Sequence, residues 1–200
     1  MERRSFRRVS VLADQTRQAG PPAIRFLKNP AVSTSSSTNK GATTDKRRKN
    51  IRLPNQIYEL SSQIFSVTIC VQDRRPIFEN ENWAKTLLGS LDTGLLTKHT
   101  EQYAWCLMPD HLHLLISPRG ANLSKILIAW KSYIGHLLRK DGLEGSCWQR
   151  GFYDHALRKE EDVQRAAEYI VNNPVRKGFA ENWRDYPFSW HKWMWGSPAS

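Results

Sequence analysis

His111 and His113 are separated by a single residue in a run that continues with Leu114, Leu115 and Ile116. Residues two apart on a strand point to one face, so this spacing sets two imidazoles side by side while Leu112, Leu114 and Ile116 turn into a core. Such a pair suits a divalent ion such as zinc, manganese or nickel, held with open positions from which it polarises a phosphoryl oxygen. Two histidines on a solvated sheet face fit the same spacing, so the metal reading needs a third ligand.

A second reactive residue is Tyr169. At about 100° per residue, Val163, Ala166, Ala167, Ile170 and Val171 fall on one arc, the buried stripe of a helix, and Tyr169 lies about 60° outside it on the flank shared with Asn173. A tyrosine at such an edge serves as amphipathic cover with a wet hydroxyl. It also serves as a nucleophile where a nearby cation offsets the cost of ionising a phenol at pH 7, about 4 kcal/mol. Pro174 removes a backbone donor and disfavours the helical region for Asn173, which predicts a helix end there. Asn173 therefore reads as a helix-end residue, and its case as a polar ligand is weaker than that of either histidine.

Several elements must position these side chains. Residues 63–71 (QIFSVTICV) read as a strand, and residues 81–91 as a helix with Trp83, Leu87, Leu88 and Leu91 on one stripe and Asn80 or Asn82 as its cap. Residues 101–108 and 111–117 are two strands joined at Pro109-Asp110, a type I turn and hence a hairpin. Residues 122–139 carry Leu123, Ile126, Leu127, Trp130, Ile134, Leu137 and Leu138 at helical spacing, residues 148–157 are aromatic and partly alternating, and residues 159–172 form a last helix. The order predicts a ferredoxin-like α+β fold: an antiparallel sheet with helices on one face and an added C-terminal helix bearing Tyr169.

The net charge is +11, of which residues 1–50 hold +9 (12 Lys or Arg against 3 Asp or Glu), leaving 18 against 16 in residues 51–200. The basic excess belongs to a leader with no apolar periodicity, expected to be a disordered, solvated tail that raises nucleic-acid affinity without carrying chemistry. Residues 51–200 are expected to form the one catalytic domain. Cys70, Cys106 and Cys147 make an odd, widely spaced set with no Cys-x-x-Cys pair, which implies a reducing, cytoplasmic setting. No run approaches the ~20 apolar residues of a membrane-spanning helix, so no membrane partner is expected.

The strings Met108-Pro109-Asp110-His111-Leu112-His113-Leu114-Leu115-Ile116, Trp148-Gln149-Arg150-Gly151-Phe152-Tyr153 and Tyr169-Ile170-Val171-Asn172-Asn173-Pro174-Val175-Arg176-Lys177-Gly178, with the closing Asp185-Tyr186-Pro187-Phe188-Ser189-Trp190, resemble the REP-associated tyrosine transposases of the HUH single-strand nuclease superfamily. The resemblance covers roughly residues 60 to 190. It implies that His111, His113 and Asn173 bind Mg²⁺ or Mn²⁺ and that Tyr169, rather than the competing Tyr133, attacks a DNA phosphate to leave a 5′-phosphotyrosine link and a free 3′-hydroxyl. It also implies a partner, single-stranded DNA folded into a palindromic hairpin, acted on by a monomer or homodimer associated with the nucleoid. Arg119, Lys125, Lys131, Arg150, Arg158, Arg176 and Lys177 are the expected DNA contacts, with Trp148 or Phe152 stacking on an unpaired base. Competing functions are a hairpin DNA or RNA binder without chemistry and a zinc hydrolase that uses water.

Overall fold

Alternating apolar residues build a five-stranded antiparallel sheet in the computed structural model, which describes residues 55–59, 62–92, 94–158 and 162–194. The leader and the expected domain start near residue 51 lie outside the described residues. In chain order the elements are β1 (Phe65–Cys70), α1 (Glu81–Asp92), α2 (Leu95–His99), β2 (Thr100–Met108), β3 (His111–Pro118), α3 (Leu123–Lys140), β4 (Tyr153–Ala156), α4 (Val163–Val171), α5 (Asn173–Arg176) and β5 (Ser189–His191). The sheet order is β4-β1-β3-β2-β5. The predicted α+β order of strands and long helices is present, with α2, α5 and β5 added.

Pairing fixes which side chains share a face. Thr68, His113 and Cys106 are partners across β1, β3 and β2, as are Ile69, Leu112 and Leu107 one residue along. Leu112, Leu114, Ile116, Phe65, Val67 and Ile69 therefore form one face, and all six are fully buried. Burial on this scale is worth about 1.5–3 kcal/mol per large aliphatic or aromatic side chain. The other face carries the histidines.

The apolar face is covered by helices whose caps are readable. Asn80 Oδ1 accepts from the backbone of Asn82 and Trp83 at the start of α1, and Asn122 Oδ1 accepts from Lys125 N at the start of α3. Trp130 of α3 is fully buried and donates its Nε1–H to Ser90 Oγ of α1 at 3.0 Å. The added helix α4 crosses the opposite, histidine-bearing face over β2, β3 and β5.

Two boundaries differ from expectation. Trp148 makes only an isolated bridge to Val71, and the chain turns through Gly151 (φ 78°), so β4 begins at Tyr153. Pro174 does not stop the helical path: α4 closes at Asn172, and Pro174 lies in the first turn of α5, where a missing N–H costs no intrahelical bond. Asp162 caps α4 through Gln164 N and Arg165 N; residues 159–161 of the expected helix lie outside the described residues. Past α5, Tyr186 donates its hydroxyl to Leu107 O, and Leu107 N donates to Phe188 O, which draws β5 onto the outer edge of β2.

Candidate active site

The tight turn at Pro109-Asp110 delivers His111 as the first residue of β3, and the pleat brings His113 beside it. Their Nε2 atoms are 3.0 Å apart, with the rings nearly perpendicular. Each Nδ1 faces a polar neighbour: Asp110 Oδ1 at 2.5 Å from His111, and Thr68 Oγ1 at 2.9 Å from His113. Asp110 in turn accepts from Arg74 Nη1 at 3.1 Å. The carboxylate takes the Nδ1–H of His111, so its Nε2 presents a lone pair.

Burial lowers the pKa of His111 against the opposing pull of Asp110. Burial, then the neighbouring His111 and the guanidiniums of Arg176 and Arg74, push His113 down to about 3. Burial acts against the charge of Asp110, but its bonds to His111 and Arg74 prevail and hold its carboxyl below the usual range. Both imidazoles are therefore neutral at pH 7, the state a metal requires. The Thr68 hydroxyl can rotate to donate or accept. When it accepts, two lone pairs face each other at 3.0 Å and call for a cation between them. Adjacent ligands at right angles around an ion with bonds of about 2.1 Å are themselves about 3.0 Å apart, so the donor pair fits a divalent ion. Among the described residues no cluster of three or more His, Cys, Asp and Glu completes a site.

Tyr169 projects from α4 with 65% of its surface exposed, lining a groove of about 450 Å³ with Ser66, His155 and Arg165. Ser66 and Thr68 share the histidine face, so the groove lies on that face, two residues along β1 from the partner of His113. Arg176 organises this corner: its guanidinium lies 3.7 Å over the Tyr169 ring, Nη1 donates to Tyr169 O, and Nη2 donates to Asn173 Oδ1 at 2.8 Å. Asn173 Nδ2 donates to Ile170 O at 2.9 Å. Its oxygen is thus committed to Arg176 and makes no contact with either histidine.

Of the expected DNA contacts, Arg176 and Lys177 lie near enough to act on the pKa values of the histidines, and exposed Arg150 borders Cys70, the partner of His111 on β1. Arg158 is exposed just beyond β4. Arg119 and Lys125 follow the far end of β3, about 23 Å along the strand at ~3.3 Å per residue. Lys131 is a correction: it is buried and its Nζ is held by the carbonyls of Gln149 and Gly151. Trp148 is another. It packs against Phe78 and Trp130, donates to Lys131 O and is 8% exposed; Phe152 is buried as well. Sequence reasoning missed Thr68, Ser66 and His155, whose nearness depends on strand register, and Arg74, which the turn after β1 brings to Asp110; it used Asp110 only as a turn residue.

The family description "Transposase IS200 like" matches residues 59–173. A Haemophilus influenzae relative assigned to the REP-associated tyrosine transposases is 34% identical over 101 residues, 44% of this chain and 57% of the relative. The REP-associated tyrosine transposase of Escherichia coli is 31% identical over 87 residues, 43% of this chain and 51% of its own length. The chain thus spans about half the length of these relatives. A solved REP-associated tyrosine transposase bound to a REP hairpin superposes with a TM-score of 0.56 at 26% identity, over 66% of this chain and 78% of that one. Since the family match runs from the segment before β1 to Asn173, the first residue of α5, and takes in more than half of the sequence, the protein belongs to the IS200-like transposase family.

Proposed function

We propose that the chain is a metal-dependent transesterase that cuts single-stranded DNA beside a hairpin. The observation that carries the reading is the facing Nε2 pair, its Nδ1 atoms engaged by Asp110 and Thr68, on the sheet face crossed by the helix that exposes Tyr169. His111 and His113 would hold Mg²⁺ or Mn²⁺, with Asn173 Oδ1 as third ligand once it leaves Arg176. When bound, the ion polarises a non-bridging phosphoryl oxygen. Arg74, Arg176 and Lys177 attract the phosphate. Tyr169 loses its proton and forms the new oxygen–phosphorus bond, the bond from phosphorus to the 3′-oxygen breaks, and that oxygen gains a proton. The products are a 5′-phosphotyrosine link and a 3′-hydroxyl that can reverse the step, as strand transfer requires. Hairpin DNA as partner is supported by the hairpin-bound neighbour.

The engagement of Asn173 Oδ1 by Arg176 favours a second reading, a hairpin binder without chemistry. Incubation with pooled single-stranded hairpin DNAs and Mn²⁺, followed by a denaturing gel, separates the two. A covalent adduct that is lost in His113→Ala while DNA binding persists supports the transesterase. Binding without adduct supports the binder, and cut DNA without adduct points to attack by water.

A further inference from the structure

Trp105 and Trp190 are cross-strand partners on β2 and β5, with ring centroids 6.4 Å apart and planes 24° from parallel. Trp105 pairs with Leu114, so both indoles belong to the sheet face opposite the histidines. Each is only half-buried, although they lie on the face that elsewhere forms the core. With Asp92, Gln102, Arg119 and Lys192 they line a groove of about 550 Å³.

The polar groups of the groove form a pattern. Lys192 is paired with Glu101 at 2.7 Å. Gln102 donates its amide to Leu91 O at 2.6 Å, which leaves its oxygen as an acceptor, and the exposed Asp92 carboxylate is another. Arg119 is exposed and makes no side-chain hydrogen bond or ion pair among the described residues. With Asp92 and Glu101 against Arg119 and Lys192, the groove is close to neutral. It is unlike a channel that tracks a phosphate backbone by charge. It combines an aromatic platform, acceptors able to read amino hydrogens and one available guanidinium.

We propose that this groove binds one unpaired nucleobase carrying an exocyclic amino group, stacked on Trp105 and Trp190, with the neighbouring phosphate on Arg119. The proposal rests on the reading of the chain as a single-stranded DNA enzyme. Because the groove and Tyr169 lie on opposite faces of the sheet, the captured base belongs to a flank or loop several nucleotides from the scissile phosphate. The groove therefore selects substrate and performs no chemistry.

The test uses the full chain and a fluorescein-labelled hairpin DNA with ten-nucleotide single-stranded flanks, made either of mixed dA and dC or of dT alone. Wild type should bind the dA/dC-flanked hairpin about tenfold more tightly. Trp190→Leu should erase that preference, Trp190→Phe should keep most of it, and Arg119→Gln, a surface change that spares the fold, should weaken binding several-fold and flatten its salt dependence. The indole N–H resonances of Trp105 and Trp190 should move on titration with the dA/dC-flanked DNA. Equal affinity for the two flanks, unchanged binding by Trp190→Leu and Arg119→Gln, or unmoved indole resonances at saturation would overturn the groove assignment. If adduct formation persists in those cases, the transesterase reading survives alone; if wild type binds neither DNA, both fall.

Discussion

Replacing Tyr169 with Phe removes one oxygen and nothing else. The hydroxyl bonds to none of the described residues, the ring is 65% exposed, and the Arg176 guanidinium 3.7 Å above it retains its aromatic face. Loss of an exposed hydroxyl of this kind changes stability by less than about 0.5 kcal/mol, a melting shift of under about 2 °C for a domain of this size. Cleavage should fall by at least about three orders of magnitude, the scale of losing a nucleophile, and the covalent adduct should vanish. Tyr133 supplies the control. It is 54% exposed on α3, in the helical layer across the sheet from the histidines, in a groove with Thr86, Trp130 and Leu137. Tyr133→Phe should therefore cut and couple like wild type. The assay is a denaturing gel with labelled hairpin DNA and Mn²⁺, beside a melting curve for each variant. An adduct formed by Tyr169→Phe, or a melting drop beyond about 5 °C, would refute the reasoning.

Asp110→Asn keeps a hydrogen-bonding partner for His111 Nδ1 but removes the charge that sets its tautomer; Mn²⁺ titration should show affinity reduced about 10- to 100-fold, and unchanged affinity would separate Asp110 from the metal site. Lys131→Met leaves two backbone carbonyls without their buried donor and should cost about 1–3 kcal/mol in urea unfolding, while the salt slope of DNA binding, were Lys131 a phosphate contact, would change; we expect it constant. The lowered pKa values of His111 and His113 mean that below about pH 6.5 the unfolded chain binds protons the native one refuses. The stability of the metal-free protein should be fully present above that pH and decline as pH falls towards 3, and a melting temperature that rose from pH 7 to 5 would contradict this.

The sheet was readable because β3 states its own alternation: Leu112 and Leu114 against His111 and His113 fix both the strand and the face, and Pro109-Asp110 fixes the hairpin. The stripe from Val163 to Val171 likewise placed Tyr169 outside the core. What sequence pattern could not supply was register between distant strands. Thr68 lies beside His113 only because β1 pairs with β3 at that step, and Ser66 meets His155 only through β4. Burial of long polar or amphipathic residues was equally hidden. Lys131 and Trp148 occupy positions typical of a basic, aromatic binding surface, yet carbonyls freed by the turn at Gly151 draw in one, and a gap between Phe78 and Trp130 takes the other. The short strand β5 has too few residues to show a period.

That short strand also governs how the molecule behaves in company. Without Ser189–His191, Tyr186 and Phe188, the outer side of β2 would expose the unpaired amide and carbonyl of Leu107 along a strand of nine residues, with Cys106 and Met108 beside them. A bare edge of that length is a template on which a second copy can add its own β2, sheet to sheet, and grow into aggregates. Three residues, paired with Ala104, Trp105 and Cys106, cover the middle of that side and leave in its place an edge strand only three residues long, a poor template for a second copy.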